Sequence, residues 1–155
     1  MQTSSTASGI CPSADARVRL FALLYETNAR LSRTLGTLLE ETCSLPLAWF
    51  DVLLQIRRAP DGRLKMTEIA DATVHSTGGT TRLVDRIEQA GFVERQHCPN
   101  DRRAIHVAMT LAGNAKLDEA LILHLEHLDG HLTDRLNTQE RETLTKLLSK
   151  LNCDD

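Results

Sequence analysis

The hydrophobic pattern of residues 66–109 predicts two helices that meet at a tight bend, followed by a β-hairpin. Apolar side chains recur at helical spacing, first in a short segment that ends near Val74 and then from about Gly78 to Ala90. Gly91 suits the left-handed position that commonly follows a helix. Two helices joined by a short turn form a helix-turn-helix, whose second helix can lie in the major groove of DNA.

Polar residues mark where both helices begin. Thr67 is a good N-cap for the first helix, and Ser76 or Thr77 is a good N-cap for the second. Small side chains let a backbone approach closely, while hydroxyl and guanidinium groups bond to base edges and phosphates. The predicted DNA-contacting residues of the second helix are Ser76, Thr77, Gly78, Thr80, Thr81, Arg82 and Arg86. A loosely formed, solvated helix start is the alternative.

Two β-strand patterns follow the second helix, at residues 93–97 and 105–109. The segment between them contains Pro, Asn and Asp and is typical of a turn, with Arg102 and Arg103 at or near its tip. A hairpin in this place is a wing, and an arginine at its tip fits a narrow minor groove. Asp101 would shape the tip. A solvated salt bridge between the arginines and Asp101 is the alternative.

The N-terminal side of the chain predicts a tail, two helices and a short strand. Residues 1–13 are rich in Ser, Thr and Gly, which is typical of a disordered tail. A long helix is predicted over residues 14–41 and a second over residues 46–58, with Pro46 in its first turn. A strand at residues 64–66 can pair with the wing.

The C-terminal side predicts two more helices. Thr110 suits the N-cap of a helix that runs from residue 111 to about residue 136, and Gly130 can bend or divide it. Asn137 or Thr138 suits the N-cap of a final helix, in which leucines recur at spacings of three, four and seven.

The apolar stripes of the terminal helices exceed what a winged-helix core needs. In a monomer they would form a large exposed apolar patch, which soluble monomers avoid. The sequence therefore predicts one domain over residues 14–155, in which residues 14–44 and 111–155 are dimerisation helices and residues 45–110 form the winged helix-turn-helix. A two-fold homodimer places two recognition helices on one face of DNA, as palindromic sites require.

Composition narrows the class of partner. The aromatic content of 3% argues against stacking platforms for single-stranded nucleic acid, and the net charge of −3 leaves only a local basic patch for DNA. No apolar run approaches the roughly 18 residues that a transmembrane helix needs. The N-terminus lacks a charged start followed by an apolar core, so no secretory signal and no membrane association are predicted. The four cysteines form no Cys-x-x-Cys pair, which favours a reducing cytoplasm.

Three segments carry a family resemblance: TRLVDRIEQAGFVER, CPNDRR and VAMTLAG. The chain from Leu45 to about Leu117 resembles the MarR family of bacterial transcription regulators (multiple antibiotic resistance regulators). The resemblance implies a mainly α fold with a small β-wing, and a winged helix-turn-helix flanked by long helices that interlock in a dimer. It implies a ligand-responsive repressor that binds double-stranded DNA at a palindromic operator. A winged-helix protein–protein adaptor without DNA binding is the alternative.

The second predicted helix contains Trp49 and Asp51. The resemblance places this helix where family members often bind small aromatic or phenolic effectors, and the two residues are the candidate effector pocket. Relatives that bind urate have an aspartate matching Asp51 together with a tryptophan in the first helix, which this chain lacks. Core packing is the alternative for Trp49.

Three histidines and one cysteine could each sense a metal ion or an oxidant, and each also has a purely structural interpretation. His124, His127 and His131 lie at i, i+3 and i+7 of one helix, where imidazoles can bind zinc or nickel, but a partly solvated face of a dimer helix is the commoner reason. Cys98 precedes Pro99 in the wing, and its thiol is either redox-sensitive or packed at the strand end. No nucleophile elbow, phosphate loop or His-Glu-x-x-His motif occurs, so we predict no catalytic residue, no metal site, no cofactor and no enzyme.

Overall fold

The structure is a computed structural model that describes residues 15–72, 77–98 and 101–152, with the side chains of residues 77, 78, 98 and 101–104 outside the description. In chain order its elements are α1 (Ala16–Cys43), α2 (Leu47–Arg58), β1 (Arg63–Lys65), α3 (Met66–Ala72), α4 (Thr77–Gln89), β2 (Val93–Cys98), β3 (Asp101–Met109), α5 (Leu111–Leu128), a π-helical segment (Asp129–Thr133) and α6 (Thr138–Asn152). Helices predominate and the strands form a small antiparallel sheet, which confirms the predicted fold class. None of the described helices is long and apolar enough to cross a membrane.

The chain divides into two compact units, Met1–Thr34 and Leu35–Asp155. In the described part of the first unit, Asp15 precedes α1, and its carboxylate accepts the backbone N–H of Arg17 at 2.8 Å, as an N-cap does. The Arg17 guanidinium donates to the same carboxylate and lowers the pKa of Asp15. Large apolar side chains are exposed along this part of α1: Val18, Leu20, Phe21, Leu23 and Tyr25.

The core of the second unit is built around α2. This helix buries the side chains of Phe50, Val52, Leu53 and Ile56, which lie on one broad side of it. Helices α3, α4 and α5 and strands β2 and β3 add further buried residues. Fully burying one such side chain stabilises the fold by about 1.5–3 kcal/mol, so burial of these apolar positions favours the observed packing. The largest fully buried side chains are those of Phe50, Leu39, Leu45, Leu53, Ile56, Ile69, Ile87, Leu117, Val52, Val84, Val93 and Val107.

The sheet has the strand order β1-β3-β2, and both pairs are antiparallel. The predicted strand at residues 64–66 does pair with the hairpin, shifted by one residue, with Leu64 opposite Val107. The predicted turn between the hairpin strands was too long, because pairing resumes at Cys98 opposite Asp101 after an irregularity in the register. Arg102 and Arg103 therefore belong to β3 and not to the turn, while residues 99 and 100 lie outside the described residues.

The start of α3 corrects one prediction. Thr67 lies inside the helix, which begins at Met66, so Thr67 is not the N-cap. Glu68 instead reaches back and its carboxylate accepts the backbone N–H of Lys65 at 2.6 Å. This is the glutamate half of a capping box, with Lys65 in the N-cap position.

The other helix ends follow the predicted signals. Gly91 has φ +79°, and the backbone N–H of Phe92 donates to the carbonyl of Ile87 at 3.1 Å, which is a Schellman end for α4. The Thr110 hydroxyl accepts the backbone N–H of Gly113 at 3.0 Å and caps α5. Helix α5 ends at Leu128, and the π-helical segment that follows contains Gly130, so the long helix is divided where predicted. Asn137 and Glu140 form a reciprocal capping box at the start of α6.

Candidate nucleic-acid interface

Helix α4 is the second helix of the helix-turn-helix, and its inner face is buried. Val84 and Ile87 have no exposed surface, and Leu83 packs against the same core. Thr80 lies one turn before Val84 and is also 0% exposed. A side chain without exposed surface cannot contact a base, so the prediction that Thr80 meets DNA is wrong. The spacing of four and seven residues to Val84 and Ile87 was the signal that places Thr80 on the inner stripe.

The outer face of α4 carries positive charge. Thr81, Arg82 and Arg86 are exposed, and the two arginines lie one turn apart on the same side of the helix. Among the ion pairs of the described residues, none involves Arg82 or Arg86. Both guanidinium groups are therefore available to phosphates or to the acceptor atoms of guanine.

For the other residues that were predicted to contact DNA or to shape the wing, the structure describes no side chain. Ser76 lies outside the described residues. Backbone positions alone are known for Thr77 and Gly78 at the start of α4, and for Asp101, Arg102 and Arg103 at the start of β3. The roles of these residues in DNA binding and in shaping the wing stay predictions.

A residue that sequence reasoning missed joins the wing to α4. Arg95 of β2 places one guanidinium nitrogen 2.6 Å from the carboxylate of Asp85 and binds Glu88 with another. Its backbone N–H also donates to Glu88 at 3.0 Å. Asp85 and Glu88 lie three residues apart on α4, and this spacing beside a strand arginine was the available signal.

The base of the wing is fixed to α5. The Thr110 hydroxyl donates to the carbonyl of Gly91 at 2.6 Å, and the Thr110 backbone N–H donates to the carbonyl of Phe92 at 3.0 Å. Gly113 lies so close to this place that a Cβ atom on it would overlap the Phe92 carbonyl oxygen. The end of α4, the start of β2 and the start of α5 therefore meet in one close-packed junction.

The two candidate effector residues do not share a face of α2. Trp49 is partly buried and makes an edge-on contact with Phe92, with ring centroids 6.2 Å apart. Asp51 is exposed. Residues two apart on a helix point in different directions, and the placement of both residues in an effector pocket stays a prediction. The contact with Phe92 supports core packing for Trp49.

The three histidines form a column along α5 and the π-helical segment. The rings of His127 and His131 stack with centroids 4.3 Å apart, and His124 makes an edge-on contact with Phe50 of α2. Burial, and secondly the charge of Arg58, lower the pKa of His124. Stacked rings do not converge on one point, and within the described ranges no cluster of His, Cys, Asp or Glu is arranged to hold a metal ion.

Comparison with known proteins gives one family. The MarR family model matches residues 44–104. The multiple antibiotic resistance protein MarR of Escherichia coli (strain K12) is 31% identical over 134 residues, which is 86% of this chain and 91% of that protein. The HTH-type transcriptional repressor YetL of Bacillus subtilis (strain 168) is 29% identical over 102 residues, 66% of this chain and 60% of that protein. A crystal structure of a mutant MarR from E. coli complexed with operator DNA superposes with a TM-score of 0.74 at 31% identity, and the match covers 87% of this chain and 94% of that one.

Proposed function

This chain belongs to the MarR family and is a DNA-binding transcription regulator, and from that premise we propose that it is a ligand-responsive repressor that binds a palindromic operator as a homodimer. Its relatives are transcription regulators and not enzymes. The alternative of a protein–protein adaptor without DNA binding is not favoured, because a relative at 31% identity was solved with operator DNA. A regulator of this kind works where the DNA is, so we place it in the cytoplasm.

The observation that carries the proposal is the division of α4 into two faces. The buried stripe holds the helix against the core, and the exposed side presents Arg82 and Arg86 to solvent. A recognition helix needs this arrangement, since only side chains that leave the protein surface can reach base edges. The sheet follows α4 directly and supplies the wing, for which we propose that Arg102 and Arg103 contact the minor groove or phosphates.

Dimer formation is supported by apolar side chains that the single chain leaves uncovered. Helix α6 exposes Leu144, Leu147, Leu148 and Leu151, and α5 exposes Ile122 and Leu125 at 61% and 60%. Contiguous exposed apolar surface of this kind marks an interaction site. We propose that a second copy covers these residues, with residues 14–44 and 111–155 as dimerisation helices and residues 45–110 as the DNA-reading part of one domain that begins after a tail at residues 1–13.

Repression and release are the finer parts of the proposal. A relative at 29% identity is named a repressor, and we propose the same sign of regulation here. A small aromatic or phenolic effector would bind beside α2, near Trp49 and Asp51, and favour a dimer whose recognition helices are wrongly spaced for two half-sites. Coupling of this kind is typically about 1–3 kcal/mol. Trp49 fluorescence reports binding, and aromatic acids that leave both fluorescence and DNA affinity unchanged would contradict this route; release by oxidants instead would point to a cysteine.

The test of DNA binding is selection of duplexes by the purified chain, followed by titration. Arg82→Ala is expected to weaken the selected duplex by about 1–3 kcal/mol per half-site if Arg82 contacts a base, and to lower the ratio of selected to scrambled affinity. Arg135→Ala removes another exposed arginine, outside the winged helix, and serves as the control. Failure of the unmodified chain to select any duplex would return the adaptor alternative to first place.

A further inference from the structure

Arg95 ties strand β2, the first strand of the wing, to the recognition helix. Its guanidinium spans two carboxylates of α4, those of Asp85 and Glu88, and its backbone N–H adds a bond to Glu88 at 3.0 Å. The Arg95 side chain is only 23% exposed, which is less than either carboxylate. A guanidinium held in a planar fork by two partners on one helix face has little freedom to turn towards another ligand.

The same cluster changes the charge of the DNA-facing helix. Helix α4 carries two arginines, Arg82 and Arg86, and two acids, Asp85 and Glu88, so its own side chains sum to zero. Unpaired, these acids would repel the phosphates that the arginines attract. Arg95 offsets part of that negative charge from the strand.

The hairpin is also held by the segment that follows it. The hairpin is anchored at its base, where Thr110 bonds to the carbonyls of Gly91 and Phe92. Strand β1 pairs with β3 at residues 106–108, so the hairpin projects beyond the three-stranded part of the sheet only from His97 and Ile105 onward. Arg95 lies opposite Val107, which pairs with Leu64 on its other side, so the bonds of Arg95 to Asp85 and Glu88 hold α4 to the part of the sheet from which the hairpin projects.

We propose that Arg95 is a positioning residue for DNA recognition. By binding Asp85 and Glu88, it presets the angle of the wing relative to α4, so that both elements meet one duplex without an ordering cost at the moment of binding. Arg95 itself contacts no DNA. This inference rests on the proposed function, because it assigns a role within the same DNA-binding surface.

The test compares variants on the duplex that the unmodified chain selects from a library randomised over about two helical turns, roughly 20 bp. Arg95→Met is expected to weaken this duplex about tenfold, the size of a typical coupling between sites. Its slope of log affinity against log salt is expected to stay unchanged, because no phosphate contact is lost. A slope that flattens by about one unit for each arginine would mean that Arg95 binds phosphate directly and would overturn the positioning role.

Two variants separate positioning from charge. Arg95→Lys keeps the charge but cannot span both carboxylates in a fork, so partial recovery is expected. The triple variant Arg95→Met, Asp85→Asn, Glu88→Gln removes the unpaired acids together with the arginine. It is expected to regain only the part of the affinity that repulsion between these acids and the phosphates costs. Full affinity in the triple variant would show that charge neutralisation alone matters and would overturn the proposal.

Arg57 offers the matched control for stability. It forms an ion pair with Asp118 at 3.0 Å and donates to the carbonyl of Asn114, which joins α2 to α5 away from the wing. Arg95→Met and Arg57→Met each remove one ion-paired arginine, so both are expected to lower the urea midpoint by similar amounts. Only Arg57→Met is expected to keep the DNA affinity of the unmodified chain. Equal affinity of Arg95→Met and the unmodified chain would refute the positioning role alone, whereas a chain that selects no duplex would refute the proposed function itself.

Discussion

Gly113→Ala is expected to destabilise the protein, although alanine is usually the better residue inside a helix. Gly113 lies in the first turn of α5, and a Cβ atom there would overlap the carbonyl oxygen of Phe92. The same carbonyl accepts the backbone N–H of Thr110 at 3.0 Å, and the Thr110 hydroxyl accepts the backbone N–H of Gly113 at 3.0 Å. The added methyl group must therefore push α5 away from the base of the wing.

The magnitude follows from the contacts that this shift affects. Alanine gains up to about 1 kcal/mol over glycine in a helix. Forcing a methylene into a packed site typically costs about 1–3 kcal/mol. Loss of the Thr110 cap costs about 1 kcal/mol, and loss of the Phe92 hydrogen bond about 1 kcal/mol more. If both are lost, the net decrease in the free energy of unfolding is about 2–4 kcal/mol.

Urea unfolding followed by circular dichroism measures this change. Gly130→Ala is the matched control, because a Cβ atom at Gly130 has no neighbour within 4 Å, and its expected effect is neutral or slightly stabilising. DNA affinity is expected to fall in Gly113→Ala even under conditions where the variant is folded, since the wing base moves. If Gly113→Ala is as stable as the unmodified chain, α5 can shift at this contact without a cost in free energy, and the reasoning from a close-packed junction is refuted.

Three further predictions address the remaining parts of the proposal. Arg103→Ala is expected to lower the affinity for selected and scrambled duplexes alike. It should also flatten the slope of log affinity against log salt by about one unit per lost phosphate contact, up to about two in a dimer. Titrations at several salt concentrations test this, and an unchanged slope would argue against a DNA-binding wing. Burial lowers the pKa of His124 below its ordinary 6.5, so just below pH 6.5 the unfolded chain binds more protons than the folded chain, and the urea midpoint is expected to fall as the pH drops. His124→Gln should remove part of this pH dependence. Equal pH profiles for the two chains would count against this reasoning. Light scattering is expected to give about twice 17.2 kDa at micromolar concentration, and a stable monomer would contradict the proposed dimer.

The sequence by itself determined the elements that depend on neighbours along the chain. The apolar period of α4 predicted the burial of Val84 and Ile87, because a helix returns the same face every three to four residues. Gly91 predicted the end of that helix, since a left-handed residue is needed there. Thr110 predicted the start of α5 through a hydrogen bond that spans only three residues. Such signals lie within one turn of chain and do not depend on what packs against them.

The tertiary structure alone decided the features that join distant segments. The extent of β3 depended on pairing across the hairpin, which a turn signal cannot measure. The bonds of Arg95 to α4 and the approach of Gly113 to Phe92 join residues 7 to 21 positions apart. Their geometry follows from how helix and sheet pack in three dimensions, because local propensity carries no information about which distant atoms will meet.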